Sequence, residues 1–373
     1  MKNSIYELNL NNLRKDEDFS VNNKLNPKSQ IVEIFSALVS GNDTTKYGKK
    51  VDVTFDRIKE LCSRAHNGDF AAKAEFNSIV RYALEPHLQT QIQLFNFMGT
   101  FKEIGYDEQA MVKTYKHESI RSNFQASQGD VNFGTTVWSE YPIVTKTISS
   151  GYAVNYREIA SGNLDKVSEG LQQVQVDMMN KAMLYVITTL YNGIKNATGV
   201  KYFAETAGIA KTSVDDIVKK VRRFGRPTLT GDYSVVSQLN SFAGFKADPT
   251  DAKNNFLSQA VMEEIRQSGL LTTYNGSPIV ETPNQYNLTK MNAAGDNFDT
   301  YLPEGLLFVI PQATVSPLQI FKRGGISSMS GNDVVTGTEM TRFDMEIGAD
   351  LAKGREYEVG LISDTNFEIE QVG

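Results

Sequence analysis

The sequence is short of the residues that usually carry covalent or metal chemistry. It has a single cysteine, Cys62, so no intrachain disulfide can form, a cysteine zinc cluster is excluded, and a reducing compartment fits best. Its three histidines, His66, His87 and His117, sit on unrelated stretches and leave little for a histidine metal site or a Ser-His-Asp arrangement. No run approaches the roughly 18 apolar residues of a membrane span, and residues 1–25 are polar and charged with no apolar core, so neither export nor membrane insertion is expected. Positive charge is also in deficit. A formal charge of -6 argues against non-specific nucleic-acid binding through the bulk surface, while leaving room for a locally basic face.

Motifs that begin promisingly fail at the positions that matter. His117-Glu118 opens like a zinc protease motif, but Arg121 stands where the second histidine ligand is required. Lys211-Thr212 precedes a helix as in a phosphate loop, yet Glu205 and Ala210 occupy the positions that need glycine. The carboxylate pairs Asp215-Asp216 and Glu263-Glu264 read as solvated or capping groups on helix faces, and Glu356 and Glu358 as outward side chains of an alternating strand. No catalytic, metal or cofactor site is expected. The densest basic cluster is Lys219, Lys220, Arg222, Arg223 and Arg226. It is either a solvated helix face or a contact for phosphate or for a neighbour's acidic patch.

What is present is 40% hydrophobic and 22% charged, the balance of a globular chain, with length enough for two or three domains. The clearest element is a long helix over 163–192. Leu164, Val167, Leu171, Val174 and Met178 share one face, Asn163 is placed as N-cap and Gly193 as a left-handed stop. Such a helix is a rod of roughly 45 Å. From Met178 onward the apolar stripe broadens, so its second half should be buried on several sides. Before it lies a long hairpin over 106–156. Residues 110–116 form one strand, and 144–156, with Val144, Ile148, Tyr152, Val154 and Tyr156 on one parity, form its antiparallel partner. The tip between them, 121–136, is too long and too polar for a tight turn.

Elsewhere, 1–47 reads as an extended arm with a short amphipathic turn at 31–39. Helices are expected over 53–64 and 71–84, the second closed by Pro86. After the long helix the pattern is α/β. A helix capped by Ser213 ends at Gly225 and Pro227, 233–239 is a buried strand, and 255–268 is a helix. Asn275-Gly276 turns a hairpin, and the apolar strand 306–310 stops at Pro311. Residues 315–373 are strand-like with glycine turns.

This order of parts resembles the major capsid protein of tailed bacteriophages, with its α+β, HK97-like fold. The resemblance covers about 105 to the C-terminus. It is carried by Gln128-Gly129-Asp130 at the tip, Thr145-Lys146-Thr147-Ile148 on the return strand and Tyr156-Arg157-Glu158-Ile159 leading into the helix. It implies an N-terminal arm with short helices (1–104), an E-loop hairpin (105–156), a P-domain spine helix (157–202), an A-domain (203–312) and returning P-domain strands (313–373). It implies a structural protein and not an enzyme, forming pentamers and hexamers in a shell around packaged double-stranded DNA. The shell belongs to the virion and assembles in the host cytoplasm, with a portal. In some relatives the scaffold is a helical N-terminal extension; since 1–104 lacks sustained heptads, a separate scaffolding protein or a retained N-terminal arm is expected. The intersubunit contacts are expected at the hairpin tip, from Arg121, Phe124, Gln128, Gly129, Asp130 and Trp138. Lys113, Lys116 and Asn332 have no positional match to the covalent cross-link of some relatives. Three rival readings are an encapsulin-type nanocompartment shell enclosing cargo enzymes, a hydrolase or nucleotide enzyme, and a non-viral binding module with a recognition hairpin.

Overall fold

The computed structural model describes residues 30–39, 42–92, 98–118, 122, 124, 133–154, 164–243, 265, 267–292, 295–312, 316–332 and 339–367. In chain order the elements are α1 (Gln30–Val39), α2 (Lys50–His66), α3 (Phe70–Ile92), β1 (Thr100–Ile104), β2 (Met111–Glu118), β3 (Thr135–Pro142), β4 (Lys146–Val154) and α4 (Leu164–Lys195). They continue with β5 (Tyr202–Thr206), α5 (Lys211–Val221), β6 (Arg226–Gly231), α6 (Tyr233–Val236), β7 (Thr273–Tyr274), β8 (Ser277–Glu281) and β9 (Tyr286–Met291). Last come β10 (Phe298–Thr300), β11 (Leu306–Gln312), β12 (Leu318–Asn332), β13 (Glu339–Leu351) and β14 (Gly360–Asp364). The class is α+β. The chain divides into two units, one of Met1–Leu94, Lys146–Met179 and Lys322–Ile347, the other of Phe95–Thr145, Asn180–Phe321 and Gly348–Gly373.

In the first unit three helices share an apolar core. Ile31, Val32, Ile34 and Phe35 of α1, Ile58, Leu61 and Cys62 of α2, and Ala72, Phe76, Ile79 and Val80 of α3 are all buried. Within this core Arg57 is ion-paired with Glu75. The turn between α2 and α3 is fixed by Asp69, whose carboxylate accepts from Ala71 N (2.9 Å), Ala72 N (3.2 Å) and Arg64 Nε (2.9 Å). The Arg64 bond, followed by the backbone amides, holds the Asp69 carboxyl below its ordinary pKa. Two expectations are corrected here. Residues 30–39 form a complete helix with a buried face, where only a short amphipathic turn within an arm was expected; residues 1–29 lie outside the described residues. And α3 continues through Pro86 to Ile92, because a proline removes one ladder bond without forcing a stop.

Strand β4 is also in this unit, and its partner is not the one expected. It runs antiparallel to β13, with Ile148 opposite Met345 and Tyr152 opposite Thr341. The alternation over 144–154 reports a half-buried strand but not the strand it pairs with, and Val144 proves to be exposed. Gly170 of α4 lies against the Tyr152 ring so closely that an added Cβ would be 2.1 Å from Cε2.

In the second unit a six-stranded mixed sheet has the order β5-β14-β11-β6-β8-β7. Strands β14 and β5, and β6 and β8, are parallel, while β11 is antiparallel to both β14 and β6. The fully apolar run Leu306–Ile310 occupies the centre, buried on both faces. On one face α5 packs Val214, Ile217, Val218 and Val221 against Leu229, Leu307, Val309 and Ile362. The Asn275-Gly276 turn takes positive φ at both residues (49° and 74°), as a type I′ hairpin requires. The later half of α4 is buried at Ala182, Met183, Val186, Ile187, Leu190, Tyr191 and Ile194, matching the broadened stripe.

Four readings in this unit change. Gly193 is inside α4, which runs to Lys195; its lack of a side chain admits Leu351, whose Cβ would lie 3.0 Å from an added Cβ. The α5 helix starts at Lys211, with Ala210 and not Ser213 as N-cap. Residues 233–236 are a helical turn capped by Asp232, which accepts from Ser234 N at 2.8 Å, and the buried strand is the preceding β6. Pro227 reads in the sequence only as a helix stop, yet it, Thr228 and Thr230 are buried within β6. Pro311 stands within β11, opposite Pro227, instead of ending it. The helix expected over 255–268 lies almost wholly outside the described residues.

Gly360 carries the packing of α5 on the sheet: a Cβ there would be 2.2 Å from Ile217 Cγ2. Replacement of Gly360 by alanine is expected to destabilise the second unit by about 1–3 kcal/mol, the usual cost of overpacking. Gly199→Ala, where nothing lies within 4 Å, is the control and should change stability little. Denaturant unfolding of both variants checks this, and equal effects contradict it.

Candidate assembly surface

The hairpin is made by β2 and β3, paired from Met111 opposite Pro142 to Glu118 opposite Thr135. The return strand is thus 135–142, not 144–156. Eight residues per strand give a ribbon of about 27 Å. A two-stranded ribbon alone is marginally stable in water, so its base must be held by something else.

The base is well held. Ala110 and Val112 are completely buried in a cluster with Phe321 and Ala352, flanked by Ile104, Tyr141 and Ile143. The Tyr141 hydroxyl donates to Asp350 Oδ2 (2.8 Å) and accepts from Lys353 N (3.2 Å). Burial, reinforced by the Asp350 carboxylate, pushes this phenol far above its ordinary pKa, so it remains a donor at any physiological pH. Ile143 N donates to Ala110 O (3.0 Å), and Gln319 Nε2 to Lys113 O (3.3 Å). The Tyr141–Asp350 contact spans 209 positions of sequence, which is why no local pattern announced it.

Away from the base the ribbon relies on its own cross-strand pairs. Lys113 Nζ meets Glu140 Oε1 at 2.9 Å, and Thr114 and Ser139 hydroxyls are 3.0 Å apart. Trp138 is 59% exposed, with Lys113 Nζ 5.6 Å from its ring, while Phe133 is 92% exposed and Phe124 is fully exposed. Covering an aromatic side chain is worth about 1.5–3 kcal/mol, so these three are free energy available to a contact. Of the expected tip residues, Phe124 and Trp138 are therefore exposed, Trp138 on β3 and Phe124 between the two strands. Arg121, Gln128, Gly129 and Asp130 lie outside the described residues. Phe133 was missed, although an aromatic within so polar a tip was a readable signal.

The basic cluster sits where α5 turns into β6. Lys220 is paired with Asp216 (2.6 Å), an ordinary helix-face pair. Arg222 Nη1 donates to Asn275 O (2.9 Å), and Arg226 Nε to Gly276 O (2.7 Å). Lys219 and Arg223 are exposed. With Asp215, Val218 and Asn275, the residues Lys219, Arg222 and Arg223 line an open cleft of about 540 Å³. Asp215 accepts from Lys211 Nζ (2.5 Å), Tyr274 Oη (2.6 Å) and Asn275 Nδ2 (2.9 Å). Burial would raise its pKa, but these donors outweigh burial and hold it low. Tyr274 is pushed up to about 12 by burial and by the bond to Asp215. Asp215 is thus a structural tie between α5 and the β7–β8 turn, beyond the solvated group expected.

The remaining carboxylates divide. Glu358 forms a two-point pair with Arg355 (2.7 and 2.6 Å) within the 3-10 turn Glu356–Glu358, which replaces the expected strand. Glu263 and Glu264 are outside the described residues. Among the described residues, no group of three His, Cys, Asp or Glu side chains is placed to hold a metal, and no helix is long and apolar enough to cross a membrane.

Comparison with solved structures finds similarity to phage shells at low identity. The mature capsid of bacteriophage PhiM1 is 11% identical, with TM-score 0.44 over 73% of this chain and 87% of that one. The capsid of cyanophage P-SCSP1u is 10% identical, with TM-score 0.47 over 72% and 86%. The head of Helicobacter pylori bacteriophage KHP40 is 11% identical, with TM-score 0.45 over 70% and 86%. No curated protein matches the sequence. The assignment rests on the sequence itself: residues 9–363 match the model of the family described as "SPbeta prophage-derived putative capsid protein YonB". A match over nearly the whole chain shows the family, and the chain belongs to these prophage-derived capsid proteins.

Proposed function

We propose that this capsid protein is the major shell subunit, with an HK97-like arrangement, and that it assembles as pentamers and hexamers into an icosahedral shell enclosing double-stranded DNA. The observation that carries the reading is the β2–β3 ribbon, clamped at its base and exposing Trp138 on β3, with Phe124 and Phe133 exposed in the segment that joins its strands. A rigidly rooted arm with exposed aromatics gains its remaining stabilisation by lying on another subunit, and repeated contacts of this kind add through multivalency. In this reading 105–142 is the E-loop, α4 the spine, the six-stranded sheet the A-domain, and β4 with β13 the P-domain strands. The role is structural, not enzymatic. A separate scaffolding protein and a portal are the proposed partners, with assembly in the host cytoplasm before incorporation in the virion. Membership of a prophage capsid family weighs against the encapsulin alternative.

Two results are expected. Deletion of 121–134 should leave a folded subunit that forms no closed particle in negative-stain microscopy, whereas the intact protein, with its scaffold, forms icosahedral shells. Normal shells from the deletion contradict the role of the arm. Trp138 is the only tryptophan, so its emission reports one site. It should shift to shorter wavelength on assembly, and an unchanged spectrum places the indole away from subunit contacts.

A further inference from the structure

The cleft at the end of α5 has a charge that neither the fold nor the overall composition requires. One or two cations at a helix C-terminus suffice to offset the dipole. Here Lys219, Arg222 and Arg223 line the cleft and Arg226 stands beside it, in a chain whose formal charge is -6. Arg222 and Arg226 are held by the carbonyls of Asn275 and Gly276, neutral acceptors that fix a guanidinium without cancelling its charge. Lys219 and Arg223 have no carboxylate partner among the described residues. The one carboxylate in the lining, Asp215, is already met by Lys211.

We propose that this cleft binds backbone phosphates of duplex DNA. The inference rests on the reading that the shell encloses double-stranded DNA, and it names the surface that meets the duplex. A carboxylate-bearing loop of a second copy is the competing occupant. Protein interfaces, however, have cores depleted in charge, with arginine accompanied by aromatic and apolar side chains, and among the described residues Val218 is the only apolar one lining this cleft. Polar, strongly cationic surfaces are the mark of nucleic-acid contacts, and guanidiniums with free N–H edges suit phosphate oxygens. The site carries no base-reading geometry, so its binding is independent of sequence and sensitive to salt.

The test is fluorescence anisotropy of a labelled random-sequence duplex, titrated with the full-length protein over a range of salt. The main variant is Lys219→Gln/Arg223→Gln, which removes two cations with no ion pair among the described residues. Arg222→Gln is the second variant, and Lys102→Gln, an exposed cation elsewhere, the control. Removing two phosphate contacts should weaken binding at least about tenfold and flatten the log K against log salt slope by about 1.8, with the control unchanged. Unaltered binding in both variants, or no duplex binding by the wild type, overturns the proposal. Binding of inorganic tripolyphosphate without the duplex makes the cleft a small-anion site and overturns it as well. So do variants that bind duplex normally but form no particles, an outcome that assigns the cleft to a neighbouring subunit. DNA content of wild-type particles is measured in parallel. Empty particles defeat the DNA-enclosing reading itself, whereas filled particles with unaltered variant binding defeat only the cleft.

Discussion

The structure depends on the burial of the hairpin base. Ala110 and Val112, with no exposed surface, and the Tyr141 hydroxyl between Asp350 and Lys353 N, convert a two-stranded ribbon that could not stand alone into a rooted arm. A buried hydroxyl bonded to a carboxylate is costly to leave unpaired, so the clasp has a single arrangement and fixes the direction in which the ribbon leaves the unit. Beyond the base the balance reverses. Cross-strand pairs such as Lys113–Glu140 are partly exposed and worth little each, while the aromatics face solvent. An arm rooted at its base and exposing aromatic side chains beyond it suits the proposed role of a shell subunit, in which assembly would cover those side chains.

The α/β sheet supplies a rigid body of a different kind. Helix α5 covers the sheet so closely that a methyl group on Gly360 of β14 would collide with Ile217, and α5 and the turn after it are tied to the β7–β8 hairpin by Asp215, Arg222 and Arg226. Polar groups at this edge are spent on backbone carbonyls and on one tyrosine and therefore keep fixed positions. Arg222 and Arg226 are consequently preplaced at the cleft, whereas Lys219 and Arg223 keep the freedom of exposed side chains.

Much of this was legible in the sequence. The periodicity of Leu171, Val174 and Met178, the Asn-Gly dipeptide and the apolar run 306–310 each determine local structure through short-range physics, and each element is found. The order of those parts pointed to a phage capsid before any packing was known. What was not legible is non-local. Whether 144–154 pairs with β2 or with β13 depends on a strand nearly 200 positions away, and parity alone is silent on that choice. Gly193 looked like a helix stop because a glycine that ends a helix and one that admits a neighbour look identical in sequence. Pro227 and the buried threonines hid β6, whose polar side chains are satisfied only inside the folded sheet, as Thr230 is by Thr282. Of the candidate contact site, the polar tip was visible as an excess of Gln, Ser, Asn and Gly, but the clasp that aims it was not.

The central claim is that the arm is rooted in the free subunit and completed by a neighbour. Hydrogen–deuterium exchange, resolved by peptide over β2 and β3 in free subunits and in assembled shells, measures this directly. The base around Ala110, Val112 and Tyr141 should be protected in both states, and the distal part, toward Glu118 and Thr135, should gain protection only in the shell. Distal protection that is the same before and after assembly would contradict the account.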